Sequence, residues 1–291
     1  SSAHKTIQVL GLKPDYCALV CISIDHIGGK MMLVRGMELG MDLYVQQPSS
    51  EVEYRNLPKI DFVALVPVQL KYLTQAELGR DFLTNCQITI VGGAQLDASL
   101  EKELDRYPNP IYHTFGMTET ASHFALRLLN GSNKQHFYQI LPGVEMAQDD
   151  RGCLTVKGDI TNNNTLITND LVSIIDKNTF KWLGRKDQVI NTGGYKVHPE
   201  LLQSSIQQLL DSINIKAKYL VTDLPHPKWG QQVVLLLESQ PLSTTTELNL
   251  QTLLKQHLKA HEVPKQIKYL DSFPRTDSGK VDVLQLKKLL I

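Results

Sequence analysis

The sequence predicts an α/β protein with a parallel-sheet unit at its N-terminus, a small β-barrel-like unit after it, and a smaller α+β domain at its C-terminus. Three observations predict this. In the first half, apolar runs of strand length alternate with segments of helical apolar spacing, the pattern of a largely parallel sheet. From Gly143 the runs shorten and follow one another between turn residues such as Asp149-Asp150 and Lys177-Asn178, the pattern of a small antiparallel barrel or distorted sheet. The remaining stretch, of about a hundred residues, is long enough for a core of its own.

The elements follow in order. Residues 3–10 read as a helix, 16–24 as a buried strand, and 29–39 as a helix with apolar positions at Met32, Val34 and Leu39. Short strands are predicted at 43–46 and at 62–66, the latter ended by Pro67. A strand at 87–91 runs into Gly92-Gly93, a helix covers 96–104, and a strand at 111–114 enters the hexapeptide FGMTET. Strands at 154–156, 166–168, 172–175 and 180–183 make up the second unit. Residues 184–188 read as a junction. Beyond it come a helix at 199–210, strands at 217–222 and 232–237, a helix at 248–258 and a strand at 266–270, with Ser243 to Thr246 a loop ending in a helix cap.

Composition excludes several classes. Thirty basic and thirty acidic residues give zero net charge, so no general nucleic-acid or membrane partner is expected. No apolar run approaches the roughly 20 residues that span a bilayer. No secretory pattern opens the chain, and Cys17, Cys21, Cys86 and Cys153 lack metal or redox spacing. They read as free thiols of a cytoplasmic protein. Oligomeric state is left open.

Several segments carry side chains suited to chemistry. In FGMTET, Phe115 can stack on a flat base and Gly116 permits close backbone approach. The Thr118 hydroxyl can donate to a phosphate oxygen, and Glu119 can hold Mg²⁺, a hard ion that prefers carboxylate oxygen. The plainer reading of the same residues is a strand-to-helix turn with Thr118 or Thr120 as N-cap. Gly92-Gly93-Ala94 is otherwise a simple turn, and the Asn-Thr-Gly-Gly of GRKDQVINTGGYKVHP (184–199) a surface hairpin. PRTDSGK, ending at Lys280, is by itself an exposed turn stiffened by Pro274.

FGMTET, GRKDQVINTGGYKVHP and PRTDSGK occur in that order with suitable gaps, and together they resemble the acyl-adenylate-forming enzymes, the superfamily of acyl-CoA synthetases, luciferases and peptide-synthetase adenylation domains. The resemblance implies ATP-dependent activation of a small-molecule carboxylic acid, with coenzyme A as co-substrate and Mg²⁺ as cofactor. It implies adenine stacking for Phe115, phosphate contact for Thr118, metal binding for Glu119, and a nucleotide and acyl pocket lined by Gly92, Gly93 and Ala94. LITND (166–170) resembles the family's TGD segment, with Asn169 in place of glycine, so Asp170 inherits the ribose hydroxyls together with Arg185. Asparagine tolerates left-handed backbone, so the turn is expected to survive. The implied domains are 1–183, a hinge at 184–187 centred on Asp187, and a mobile lid at 188–291. Gly193-Gly194 would let the pantetheine arm pass, and Lys280 would be the catalytic lysine carried by the lid. His26 would guard the acyl pocket, with Ser122 and His123 lining it.

The stretch CISIDHIGGKMMLVRGMELGMDLYV is most similar to the o-succinylbenzoate–CoA ligases of menaquinone synthesis. Such a substrate carries a second carboxylate, for which Arg35 and Lys30 are candidates. The family's Ser/Thr/Gly-rich phosphate loop is expected ahead of the opening segment, so the reading predicts a longer native chain. Another aryl- or acyl-CoA ligase, or a catalytically silent nucleotide- or acyl-binding module without that loop, are the alternatives.

Overall fold

The structure is a computed structural model that describes residues 1–275 and 281–290. The chain divides into two compact units, one of residues 1–168 and 172–182, the other of residues 169–171 and 183–291.

The first unit opens with helix α1 (Ser2–Leu10), strand β1 (Cys17–Val20), α2 (Ile27–Leu39), β2 (Asp42–Val45) and β3 (Phe62–Leu65). Two helices not anticipated from sequence, α3 (Pro67–Gln75) and α4 (Glu77–Asn85), precede β4 (Ile88–Val91), α5 (Ala98–Glu103) and β5 (Ile111–Met117). Pro67, expected to end a strand, stands at the first turn of α3, where its missing N–H costs nothing. The strands lie in the order β2-β1-β3-β4-β5, all parallel. Alternate residues face opposite sides. Ala18, Val20, Phe62, Ala64, Ile88 and Ile90 join a core with Leu10 of α1 and Met32 of α2. Leu19, Val63, Leu65 and Val91 join another with Leu70, Leu73, Leu83 and Leu100 of α3, α4 and α5. Helices on both faces explain why these strands read as unbroken apolar runs.

The sheet does not stop at β5. It continues antiparallel through β6 (Ser122–Leu128) and β7 (Tyr138–Ile140). Beyond them lie β8 (Val144–Gln148), β9 (Cys153–Gly158), β10 (Leu166–Asp176) and β11 (Thr179–Arg185), in the order β7-β11-β10-β9-β8. The expected barrel-like unit is thus corrected to an antiparallel extension of one 11-stranded mixed sheet. The join is the pairing of Phe180 with Tyr138, long-range in sequence and invisible to local pattern. The turn expected around Asn169 is also corrected: the residue lies inside β10 and is absent from the left-handed positions.

In the second unit, β12 (Ile190–Thr192) and β13 (Tyr195–Val197) form a hairpin, followed by α6 (Pro199–Ser212), β14 (Lys218–His226), β15 (Gly230–Glu238), α7 (Thr244–His257), β16 (Gln266–Leu270) and α8 (Val283–Leu290). β15 is the central strand. Val233, Leu235 and Leu237 pack with α6 and α7 residues, while Val234 and Leu236 pack with Leu286 of α8. Ser243 caps α7 by accepting from the Thr246 N–H, so this helix starts earlier than its apolar spacing indicates. No described helix is long and apolar enough to cross a membrane.

Candidate active site

Parallel strands bring their carboxyl ends to one edge of the sheet, where open α/β sheets bind ligands. Here β1 leads to His26 at the start of α2, β4 to Gly92-Gly93-Ala94, and β5 to Thr118-Glu119. The fold thus places four sequence-selected segments along one edge, since β6 returns from the same turn with Ser122 and His123.

The β5–β6 turn is tightly built. Its register shifts between Phe115 and Gly116. A Cβ on Gly116 would meet Ser122 O at 2.2 Å and His123 Cα at 2.4 Å, so only glycine lets the strands close. Gly116→Ala is expected to part them at a cost of about 1–3 kcal/mol, the range for forced overpacking. Chemical denaturation measures this, and an unchanged midpoint would refute the close-approach argument. Residues Thr118–Thr120 make one 3₁₀ turn and no helix follows, which removes the N-cap reading. Ala121 and Ser122 have φ of 50° and 90°, uncommon for residues bearing a Cβ. Buried Thr120 holds the turn: its Oγ1 accepts from Met117 N–H at 3.0 Å and donates to Ser122 O at 2.7 Å. Thr118 and Glu119 are left exposed at the tip.

Half-buried Phe115 sits in an aromatic nest, edge-on to Phe124 and Phe180 at centroid distances of 5.7 and 5.3 Å, and against Tyr138 at 5.1 Å. Such contacts fix the plane of the ring. The Gly92 turn lies directly on β5, for a Cβ there would meet Thr114 Oγ1 at 2.2 Å. Gly93 takes φ of 86°, the left-handed region that favours glycine.

Arg35 and Lys30 are separated by the fold. Lys30 is exposed, whereas Arg35 is 1% exposed on the face of α2 that meets the sheet. Its Nη2 donates to Ser122 Oγ at 3.5 Å, its Nη1 lies 4.0 Å from Met32 Sδ, and its Nε has no partner. Among the described ion pairs none includes it. Burial pushes its pKa down to about 10. Beside it, burial first and the Arg35 charge second hold His123 well below the usual imidazole range, so that ring is neutral. His123 Nε2 is 3.0 Å from Thr6 Oγ1 of α1. His26 is exposed at the N-cap of α2, and its side chain does not cap the helix.

The second unit holds the other selected residues. Asp170 is buried in β10. Arg185 and Asp187 form an ion pair, Nη2 to Oδ2 2.9 Å and Nε to Oδ1 3.1 Å. The hydrogen bond from Arg185 holds the Asp187 carboxyl below its usual range. Gly193 and Gly194, both at positive φ, turn the β12–β13 hairpin, so the hairpin read from Asn-Thr-Gly-Gly is present. Lys280 lies outside the described residues. Among the described residues no cluster of three His, Cys, Asp or Glu side chains forms a metal site.

The family model for the AMP-binding enzymes matches residues 2–160. The chain belongs to that family. A 2-succinylbenzoate–CoA ligase of Staphylococcus aureus is 28% identical over 317 residues, covering 99% of this chain and 61% of that protein. An acyl-CoA synthetase (AMP-forming)/AMP-acid ligase II-like protein from Dyadobacter fermentans is 34% identical over 100% of this chain and 83% of that one, with a TM-score of 0.62. An o-succinylbenzoate coenzyme A synthetase from Bacillus subtilis, in complex with ATP and magnesium ion, shares the fold at a TM-score of 0.78 and 22% identity, over 98% and 64% of the two chains. The chain therefore spans 61% of the length of the curated relative from Staphylococcus aureus.

Proposed function

We propose that this AMP-binding enzyme activates o-succinylbenzoate with ATP and transfers the acyl group to coenzyme A. A carboxylate oxygen attacks the α-phosphorus and pyrophosphate leaves. The CoA sulfur then attacks the acyl carbon and AMP leaves. Positioning and charge stabilisation are the catalytic demands.

The observation that carries the substrate is Arg35. A buried guanidinium with an unpaired Nε is costly unless an anion joins it. A dicarboxylic acid supplies that anion through the carboxylate that does not react. Ser122, beside Arg35, and neutral His123 then line the acyl pocket, with His26 at its mouth. Phe115, its ring plane fixed, stacks the adenine, and the backbone of Gly92 to Ala94 borders it. Thr118 donates to phosphate oxygen. Glu119, a lone exposed carboxylate, fits Mg²⁺, which takes one or two carboxylates together with substrate phosphates; the ion would offset phosphate charge.

Asp170 and Arg185 are the ribose partners in this reading. The exposed Arg185–Asp187 pair is worth no more than about 1 kcal/mol, so its exchange for a ligand is easy. Asp187 is the hinge of a mobile domain 188–291 that brings Lys280 to the carboxylate, and the Gly193-Gly194 turn borders the pantetheine path. The second reading, a different acyl-CoA ligase, draws on the Dyadobacter relative, whose identity is higher at 34%.

ATP–pyrophosphate exchange by the native chain across a panel of carboxylic acids tests this. Exchange is expected with o-succinylbenzoate, and little with simple benzoates or fatty acids. The reverse pattern would favour the second reading. AMP binding with no exchange for any acid would favour a silent binding module.

A further inference from the structure

Behind the exposed Gly92-Gly93-Ala94 turn lies a chain of buried polar groups that the proposed chemistry leaves unused. His113 of β5 is 5% exposed and Tyr138 of β7 is 8% exposed. His113 Nε2 is 3.0 Å from Ala94 O, and its Nδ1 is 2.6 Å from Tyr138 Oη. A carbonyl only accepts, so Nε2 carries the ring proton and Nδ1 accepts from the tyrosine hydroxyl. One neutral tautomer satisfies both contacts. Protonation would turn Nδ1 into a second donor; burial, then the Arg127 charge, prevents this by pushing the pKa down to about 4.

The chain continues outward. The Arg127 guanidinium lies over the Tyr138 ring, 5.6 Å from its centroid, and forms a forked pair with Glu101 of α5. Burial opposes the Arg127 charge, but the Glu101 hydrogen bond and charge outweigh it and hold the guanidinium above its ordinary range. α5 itself is fixed by Asp97, whose carboxylate accepts from Leu100 N–H at 2.7 Å. The Tyr138 ring meanwhile packs on Phe115 at 5.1 Å and stacks with Phe180 at 5.5 Å. One tyrosine thus touches the aromatic ring assigned to adenine and, through one histidine, the glycine turn assigned to the nucleotide.

We infer that His113 and Tyr138 are positioning residues for nucleotide binding: the ring of His113 holds the Ala94 carbonyl, and with it the Gly92-Gly93-Ala94 turn, in register with Phe115. This rests on the nucleotide site proposed above. Gly92 N–H is held by Leu65 O at 3.0 Å, but without the tie the exposed Gly93 and Ala94 have less to set them, and glycine leaves the backbone many conformations. A turn free to move must be ordered by the ligand, and that ordering weakens binding.

Two substitutions separate positioning from folding. His113→Leu removes both hydrogen bonds, whereas His113→Gln keeps a donor that can reach Ala94 O. Tyr138→Phe removes the hydroxyl and keeps the ring against Phe115. In the native chain, calorimetry with AMP is expected to show affinity about tenfold lower for His113→Leu, a few-fold lower for Tyr138→Phe, and close to wild type for His113→Gln. The ¹⁵N shift of His113 Nδ1 reads the tie itself: Tyr138→Phe is expected to move it toward the free-acceptor value. If His113→Leu does not fold, Tyr138→Phe decides. Unchanged AMP affinity in a folded His113→Leu or Tyr138→Phe, or equal losses in His113→Leu and His113→Gln, overturns the inference. A wild-type chain that does not bind AMP overturns the nucleotide site itself, a different failure visible before any variant is made.

Discussion

Arg35→Met is expected to give a more stable protein that no longer activates o-succinylbenzoate. The guanidinium is 1% exposed, lacks an ion-pair partner among the described residues, and has an unpaired Nε. Replacing it with an unbranched apolar side chain of similar reach removes the desolvation cost and keeps contact with the surrounding core. Exchanges of buried ionic groups for apolar ones stabilise by about 1–4 kcal/mol in favourable cases; a gain of about 1–3 kcal/mol, a few degrees in Tm, is expected here. The substrate carboxylate would then enter a pocket without its cation. Removing one partner of a buried charge pair costs about 2–5 kcal/mol, so kcat/KM for o-succinylbenzoate should fall by roughly 30- to 5,000-fold. AMP affinity should not change, because Arg35 touches Ser122 and Met32 and none of the residues assigned to the nucleotide. A scanning calorimeter and an acid-dependence series settle the matter. A variant that lost stability and AMP affinity together would make Arg35 a structural cation and remove the main support for a dicarboxylic substrate.

That residue also marks where the sequence stops being legible. Arg35 and Lys30 share a helix whose apolar positions do not form a clean stripe, so periodicity could not say which of the two meets the sheet. The fold decides through Met31, Met32 and Gly36, all buried with Arg35, and through Leu43, which crowds Gly36. The parallel strands were readable because each is buried on both faces; all four residues of β4 are, for instance. The turn of FGMTET was readable because a strand runs into a glycine. By contrast, α3 and α4 have Val66 and Ala76 at their N-cap positions rather than Ser, Thr, Asp or Asn, and Pro67 signalled a strand end more loudly than a helix start. The joining of the antiparallel strands to the parallel sheet was missed because it pairs residues 40 or more apart, as Thr179 with Gln139. His113 and Tyr138 escaped for the same reason: their meaning lies in a contact across 25 residues.

Lys280→Ala is expected to slow acyl-adenylate formation at least ~10²-fold, the scale for removing one preorganised donor aimed at developing charge. The argument is chemical. In the proposed reading the attacking carboxylate and the α-phosphate are both anionic, and Arg35 takes the carboxylate that does not react. A cation besides Arg35 and the proposed Mg²⁺ would bridge the reacting pair, and in this reading Lys280 of PRTDSGK takes that role. The thioester step makes no such demand, because the phosphate charge is then leaving with AMP and the incoming group is a thiol. Acyl-adenylate supplied ready-made should accordingly pass to coenzyme A at a rate close to wild type in the same variant. Rapid-quench measurement of the two half-reactions in the native chain separates these outcomes. Equal losses in both would mean that Lys280 serves the fold or the nucleotide site in general. A loss confined to adenylation would support a lysine that is present for one half-reaction and absent from the other, as a domain turning about Asp187 requires.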